Sequence, residues 1–198
     1  MKLFTYVVTH DTGLAPNPFG EWCSVAVCTP NHQGIRAEQG DWICGFSSKA
    51  QGHKLVYAMQ VEERLSLDEY FHDARWAYKR PSPETPQSRC GDNFYERLPN
   101  GKWKQHWNFF HRSPANMAQD TQKPIAFVGR KFWYFGESRV EVPNFQLAIG
   151  GRGVRVSHPA DSIDKFKEWL AKSYSPGRYG LPFDHAQAKS GICDDQAC

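Results

Sequence analysis

The stretch LVYAMQVEERLSLDEYF constrains the fold most, because it places a strand directly against a capped helix start. Residues 54–63, KLVYAMQVEE, alternate so that Leu55, Tyr57, Met59 and Val61 share one face, the period of a β-strand. Ser66 follows as a good N-cap, and Glu69, three residues on, completes a capping box. Leu65 and Tyr70 are placed for a hydrophobic staple. A helix from about Leu67 to Arg75 is the expected continuation.

Other segments read the same way. Residues 2–10, KLFTYVVTH, are apolar on both faces, as a strand buried on two sides requires, and DTGLAPNPFG then breaks it with Gly and Pro. SVAVC at 24–28 and GDWICGF at 40–46 predict further strands, with a helical turn over 34–39 between them. Residues 80–91 form a Pro- and Ser-rich loop. Residues 92–110 read as a hairpin, with NFYERL and KWKQHWNFF joined at PNG. IAFVG, FWYFG and SRVEV add strands or strand pieces between 124 and 142, and a last helix spans about 162–173, with Ile163, Phe166 and Leu170 on one stripe. The expected class is α+β, mainly β: a curled sheet or barrel with flanking helices. One domain over 1–184 and a polar tail over 185–198 are the expected organisation.

Composition decides among classes. With 198 residues, 40% hydrophobic and 23% charged, the chain is globular and long enough to bury a core without covalent staples. Net charge is only +3 but unevenly spread: between 100 and 159, nine Lys/Arg stand against three Asp/Glu. A basic block interleaved with aromatics suits an anionic ligand such as nucleic acid, or is an ordinary solvated face. Lys102, Lys104, Arg112, Arg130 and Lys131 are its candidate backbone contacts. The six cysteines form no C-x-x-C pair, and Cys23 and Cys28 are expected to point apart along a strand, so no metal site is expected. No secretory leader and no span-length apolar run is read, so cytoplasmic placement with reduced thiols and no membrane is the expectation.

Candidate chemistry gathers where strands end. His10 and Asp11 are possible acid–base groups, against the plainer reading of a turn Asp and a partly buried His. Trp42 begins a strand that Ser47, Ser48 and Lys49 end, where hydroxyls and a cation suit a phosphate. Asp92 and Asn93 suit the hydrogen-bonding edge of a base and Tyr95 its face, or Gly-Asp-Asn is turn chemistry alone. His111, at the end of KQHWNFFH, is a further ligand-binding candidate that approaches such a pocket or merely closes a strand, and Tyr134 is another from the aromatic run KFWYFG, of which at most some rings can line one cavity. Ser-His-Asp, H-E-x-x-H, deaminase and dinucleotide fingerprints do not occur.

In order, KLFTYVVTHDTGLAPNPF, GDWICGFSSK, LVYAMQVEERLSLDEYF, CGDNFY and FWYFG resemble the second of the nucleotide modification associated domain families, over nearly the whole chain to about residue 184. That family occurs in bacteria and phages and is linked by genomic context to DNA base modification. A broader likeness is to PUA-like domains, the group with the EVE, ASCH and YTH modules. The GDW turn and the strand LVYAMQV are similar to parts of their curled barrel, in which an aromatic-lined cleft of several members receives a modified base. The resemblance implies recognition of a modified nucleobase or nucleotide in DNA or RNA. It leaves open an enzyme acting on a base, with His10, Asp11 and Asp92 as acid–base groups, and a non-catalytic subunit of a modification complex. The implied partners are nucleic acid or a nucleotide and the proteins of a base-modification system. No cofactor is expected.

Overall fold

The computed structural model describes residues 1–27, 30–150, 153–185 and 188–189. Its strands are β1 (Leu3–Val7), β2 (Cys23–Val25), β3 (Trp42–Phe46), β4 (Leu55–Gln60), β5 (Glu63–Ser66), β6 (Tyr95–Arg97), β7 (Trp103–Gln105), β8 (Ile125–Gly129), β9 (Phe132–Tyr134) and β10 (Gly177–Arg178). The helices are α1 (Pro30–Gln33), α2 (Leu67–His72), α3 (Pro86–Arg89), α4 (Pro114–Asp120) and α5 (Ala160–Ser173), with a 3-10 segment at Ala74–Lys79 after α2.

The strands form three sheets, ordered β1-β3-β4-β9-β10, β2-β8-β5 and β6-β7. The first is mixed: β1 runs parallel to β3 and β10 parallel to β9, while β3, β4 and β9 alternate. One strand pair passes between the first two sheets. Only Val61 and Glu62 separate β4 from β5, and only Arg130 and Lys131 separate β8 from β9. The ladder continues across this bend, with Gln60 N–H donating to Lys131 O (3.0 Å) and Glu62 N–H to Val128 O (2.9 Å). Gly129 sits at the crossing, where an added Cβ would lie 2.0 Å from Gln60 O.

The class is therefore mixed α+β, richer in strand than helix, but the expected barrel does not close. The physical reason lies at β1. Its outer edge is occupied at Thr5 by Arg155, through Thr5 N–H to Arg155 O (2.9 Å) and Arg155 N–H to Thr5 O (2.8 Å). No strand among the described residues carries the ladder from there to the second sheet.

β1 is buried on both faces, as its sequence requires. Phe4 and Tyr6 join Ile43, Val56, Met59 and Phe127 in one core; Leu3 joins Trp42, Phe46, Ala58 and Trp133 on the other side, under Phe166 and Leu170 of α5. The capping box at Ser66 forms: its Oγ accepts from Glu69 N–H (3.1 Å), and Glu69 Oε2 accepts from Ser66 N–H (2.8 Å). α2 is shorter than predicted because Asp73 restarts the chain as a 3-10 turn, its Oδ1 accepting from Arg75 N–H. The turn expected at 34–39 is displaced to α1, and SRVEV contributes only a bridge from Val140 to Leu55. α4 was not expected, although Ser113 caps it with Pro114 in the first turn. Cys28, Cys193 and Cys198 lie outside the described residues, as does most of the expected tail.

Candidate functional site

Asp92 and Asn93 stand just before β6, and both are buried. Asp92 Oδ2 accepts from Ser24 Oγ (2.6 Å) and its Oδ1 from the Tyr70 hydroxyl (2.9 Å). Nearby, the buried Lys79 ammonium donates to Asn17 Oδ1 (2.7 Å), Asn17 O (3.0 Å) and Trp22 O (2.8 Å), which uses all three of its protons. Burial draws the Lys79 pKa down to about 8, opposed by the charge on Asp92. Burial likewise pushes the Asp92 carboxyl up, opposed by Lys79 and by its hydroxyl donors. This network ties the loop after β1 to α2, the 3-10 segment and β6.

Asn93 uses the same surroundings differently. Its Nδ2 donates to Tyr70 O (2.9 Å) and Trp76 O (3.1 Å), and its backbone N–H to Lys79 O (3.2 Å). Its Oδ1 is buried and has no hydrogen-bond partner among the described residues. Asn93 also lines a cavity of about 280 Å³, with Phe71, Arg80, Pro81, His106 and Trp107. Phe71 and His106 stack with ring centres 4.8 Å apart, and the Arg80 guanidinium lies 4.5 Å from the centre of the Phe71 ring. Trp107 is 45% exposed.

A second cavity, of about 670 Å³, shares His106 and Trp107 as walls and adds Trp103, His111, Arg112 and Met117. β7 stops at Gln105, and the chain from 106 to 111 turns back around Asn108. Asn108 Oδ1 accepts from the backbone N–H groups of Phe110 and His111 (2.8 Å each), and its Nδ2 donates to Gly91 O (3.0 Å). Gln105 Nε2 donates to His111 O across the same turn. Behind the wall, His111 Nδ1 lies 2.5 Å from Asp120 Oδ2, and the Tyr95 hydroxyl donates to that same oxygen (2.7 Å). A pocket of this size, walled by two tryptophans and by polar groups that include His106, His111 and Arg112, suits a flat polar ligand.

The remaining candidates lie elsewhere. Asp11 is fully buried and accepts from the Tyr134 hydroxyl, while its backbone N–H donates to Asp184 Oδ2 (2.8 Å). Burial pushes the Asp11 carboxyl up to about 7, against the pull of the Tyr134 bond. His10 is exposed, with Nδ1 3.9 Å from Asp184 Oδ2. Trp42 stacks on Trp133 beneath α5, ring centres 5.6 Å apart. Ser47 is buried and accepts from Lys54 N–H (2.9 Å), Ser48 precedes a 3-10 turn, and Lys49 is exposed. Asn93, His111 and Arg112 thus reach the cavity walls. Asp92 and Tyr95 stand behind them, and Asp11, Trp42, Ser47 and Tyr134 pack in the interior away from them.

Among the cationic candidates, Lys102 and Lys104 lie on the β6–β7 hairpin, with Lys104 3.3 Å from Glu96. Arg112 flanks Phe109 at 5.2 Å, Arg130 pairs with Glu62 (3.2 Å) over Trp22, and Lys131 lies 5.8 Å from the Trp42 ring. Sequence reasoning missed Phe71, Arg80, His106 and Trp107. Reading KWKQHWNFF as strand to its end hid the last two; Asn108, a turn residue, was the available signal that the strand stops earlier.

Compared with known proteins, the chain matches the family model described as nucleotide modification associated domain 2 over residues 1–189. No curated protein and no solved structure matches it.

Proposed function

Because this chain belongs to the nucleotide modification associated domain 2 family, we propose that it recognises a modified nucleobase or nucleotide, held in the paired cavities at Trp107. The domain is associated with nucleotide modification; base recognition is the step added here. The observation that carries it is the small cavity, where the half-exposed ring of Trp107 stands with Phe71, His106 and Asn93. A base has a flat face for the indole, and stacking on one aromatic ring is worth about 1–3 kcal/mol. Arg80 and Arg112, one in each cavity, suit the negative charge of a nucleotide.

Within this proposal the fold is a PUA-like variant. The continuous strand pair β4–β5 with β8–β9 supplies the curl, and residues 1–184 act as one domain. Its partners are nucleic acid or a nucleotide and the proteins of a modification system, in the cytoplasm. No helix among the described residues is long and apolar enough to cross a membrane.

Titration calorimetry of the purified protein with modified and unmodified nucleosides, nucleotides and short oligonucleotides tests the reading. Binding is expected to weaken roughly fivefold or more in Trp107→Ala, by loss of stacking. Ligand affinity unchanged by that substitution sinks the assignment of the site.

A second reading is enzymatic, and one observation favours it: His111 lines the larger cavity with its Nδ1 held by Asp120. A base oriented by a carboxylate is the usual partnership in acid–base catalysis. Mass spectrometry of the same incubations separates the two, since turnover leaves a product and recognition does not.

A further inference from the structure

Trp107 and His106 each line both cavities, so the two adjoin along these side chains. At the junction Phe71 is already engaged, by the stacked His106 ring and by the Arg80 guanidinium. Trp107 is left open: of the seven tryptophans it is the exposed one, and the turn around Asn108 fixes the chain beside it. The cavities are matched in charge as well. Arg80 lines the smaller and Arg112 the larger. Both guanidinium groups are held alike. One nitrogen donates to a backbone carbonyl, from Arg80 to Phe71 O (2.8 Å) and from Arg112 to Phe109 O (3.0 Å), and the group lies over the ring of that same phenylalanine. Neither arginine pairs with a carboxylate among the described residues, whereas Arg75 and Arg130 do. Glu96, the acid that contacts His106 (2.8 Å), also faces Lys104 (3.3 Å). Arginines anchored in this way keep nitrogens for a phosphate.

We infer, resting on the nucleobase reading above, that the ligand is a single-stranded segment that places two successive nucleotides here, one in each cavity, with Trp107 as the stacking ring they share and a phosphate at each of Arg80 and Arg112. Cations that follow the backbone, with aromatic rings that take successive bases, are the means by which single strands are held. A free mononucleotide fills one cavity and meets one arginine. Two nucleotides fill both cavities and meet both arginines, and the second binds without a second loss of translational freedom. Bases lodged in separate cavities are unstacked from each other. A duplex must break pairing and stacking to supply them, at a cost of about a few kcal/mol, and a single strand avoids most of that cost.

The test is calorimetry of the full chain with a length series: nucleoside 5′-monophosphates, 5′-phosphorylated dinucleotides and tetranucleotides, in deoxyribose and ribose forms, carrying adenine, N6-methyladenine, cytosine or 5-methylcytosine. The expected result is a gain of roughly fivefold to a hundredfold from mononucleotide to dinucleotide, the value of one more stacked base, and a smaller gain from dinucleotide to tetranucleotide. A short single strand is expected to bind roughly tenfold or more tightly than its own duplex. Arg80→Gln and Arg112→Gln should each lower dinucleotide affinity. Dinucleotides that bind no tighter than mononucleotides, a duplex that binds as well as its single strand, or a loss confined to one arginine variant overturns the two-nucleotide site. The nucleobase reading still stands in those cases, because mononucleotides bind. Binding by no member of the series removes the nucleobase reading and this inference with it.

Discussion

The hydroxyl of Tyr134 lies 2.7 Å from one carboxylate oxygen of Asp11 and 2.6 Å from the other, although 123 positions separate the two residues in the chain. Asp11 is otherwise enclosed, and burial raises its carboxyl to about 7 from an ordinary value of 3.8. The folded protein then binds more protons than the unfolded chain across that interval. By linkage, the contribution of Asp11 is fully present below about pH 4 and is lost as pH rises through 7. Its size is at most about 4 kcal/mol, at 1.36 kcal/mol per pH unit. Asp11→Asn is expected to flatten the decline in stability between pH 4 and 7, as measured by urea unfolding at a series of pH values. An unchanged slope would show that Asp11 does not titrate in this range.

Lys79 is the keystone of the other buried network. Lys79→Met keeps the apolar stem but leaves Asn17 Oδ1, Asn17 O and Trp22 O without their donor and Asp92 without its neighbouring cation. Removing one partner of a buried ionic network costs about 3–5 kcal/mol. The expected outcome is a large fall in melting temperature. A melting temperature within a degree or two of the parent would mean that the ammonium contributes little.

At the bend between sheets, Gly129→Ala sets a Cβ 2.0 Å from Gln60 O, a backbone atom unable to move without breaking the ladder. A loss of roughly 1–3 kcal/mol is expected from the forced shift. Gly101→Ala is a useful comparison, because its Cβ meets nothing within 4 Å, although its positive φ of 80° adds local strain. Chemical denaturation of both variants checks the order: Gly129→Ala should be the weaker fold.

Binding of any oligonucleotide should weaken as salt rises, because each phosphate neutralised releases condensed counterions. Lys102, in the hairpin turn, and Arg112, in the cavity wall, are expected to contribute more than Lys104 and Arg130, which already face Glu96 and Glu62. Replacing Lys102 or Arg112 by Ala should reduce the slope of log affinity against log salt by about 0.7–0.9 per lost contact. Affinity independent of salt would rule out a backbone interface here.

What the sequence by itself determined is local. The start of α2 follows from Ser66 and Glu69, which satisfy each other's backbone within three residues, and the two-faced burial of β1 follows from alternation along a single strand. The last helix was legible for the same reason, since Ile163, Phe166 and Leu170 fall on one stripe whatever they pack against. Asn93 and His111 were identified as residue types suited to a base, but not how each would be held.

The tertiary structure decided the rest, because it turns on partners distant in the chain. Asp92 and Asn93 are neighbours with the same local signal. Yet Asp92 is consumed by Ser24 and Tyr70, while Asn93 lines a cavity with rings brought in by α2 and by the loop after β7. Trp42 and Trp107 are equally suited to stacking by composition. α5 covers the first, and the early end of β7 leaves the second exposed. Whether a polar atom is satisfied, or an aromatic face covered, depends on which elements pack over it, and periodicity along one segment carries no record of that.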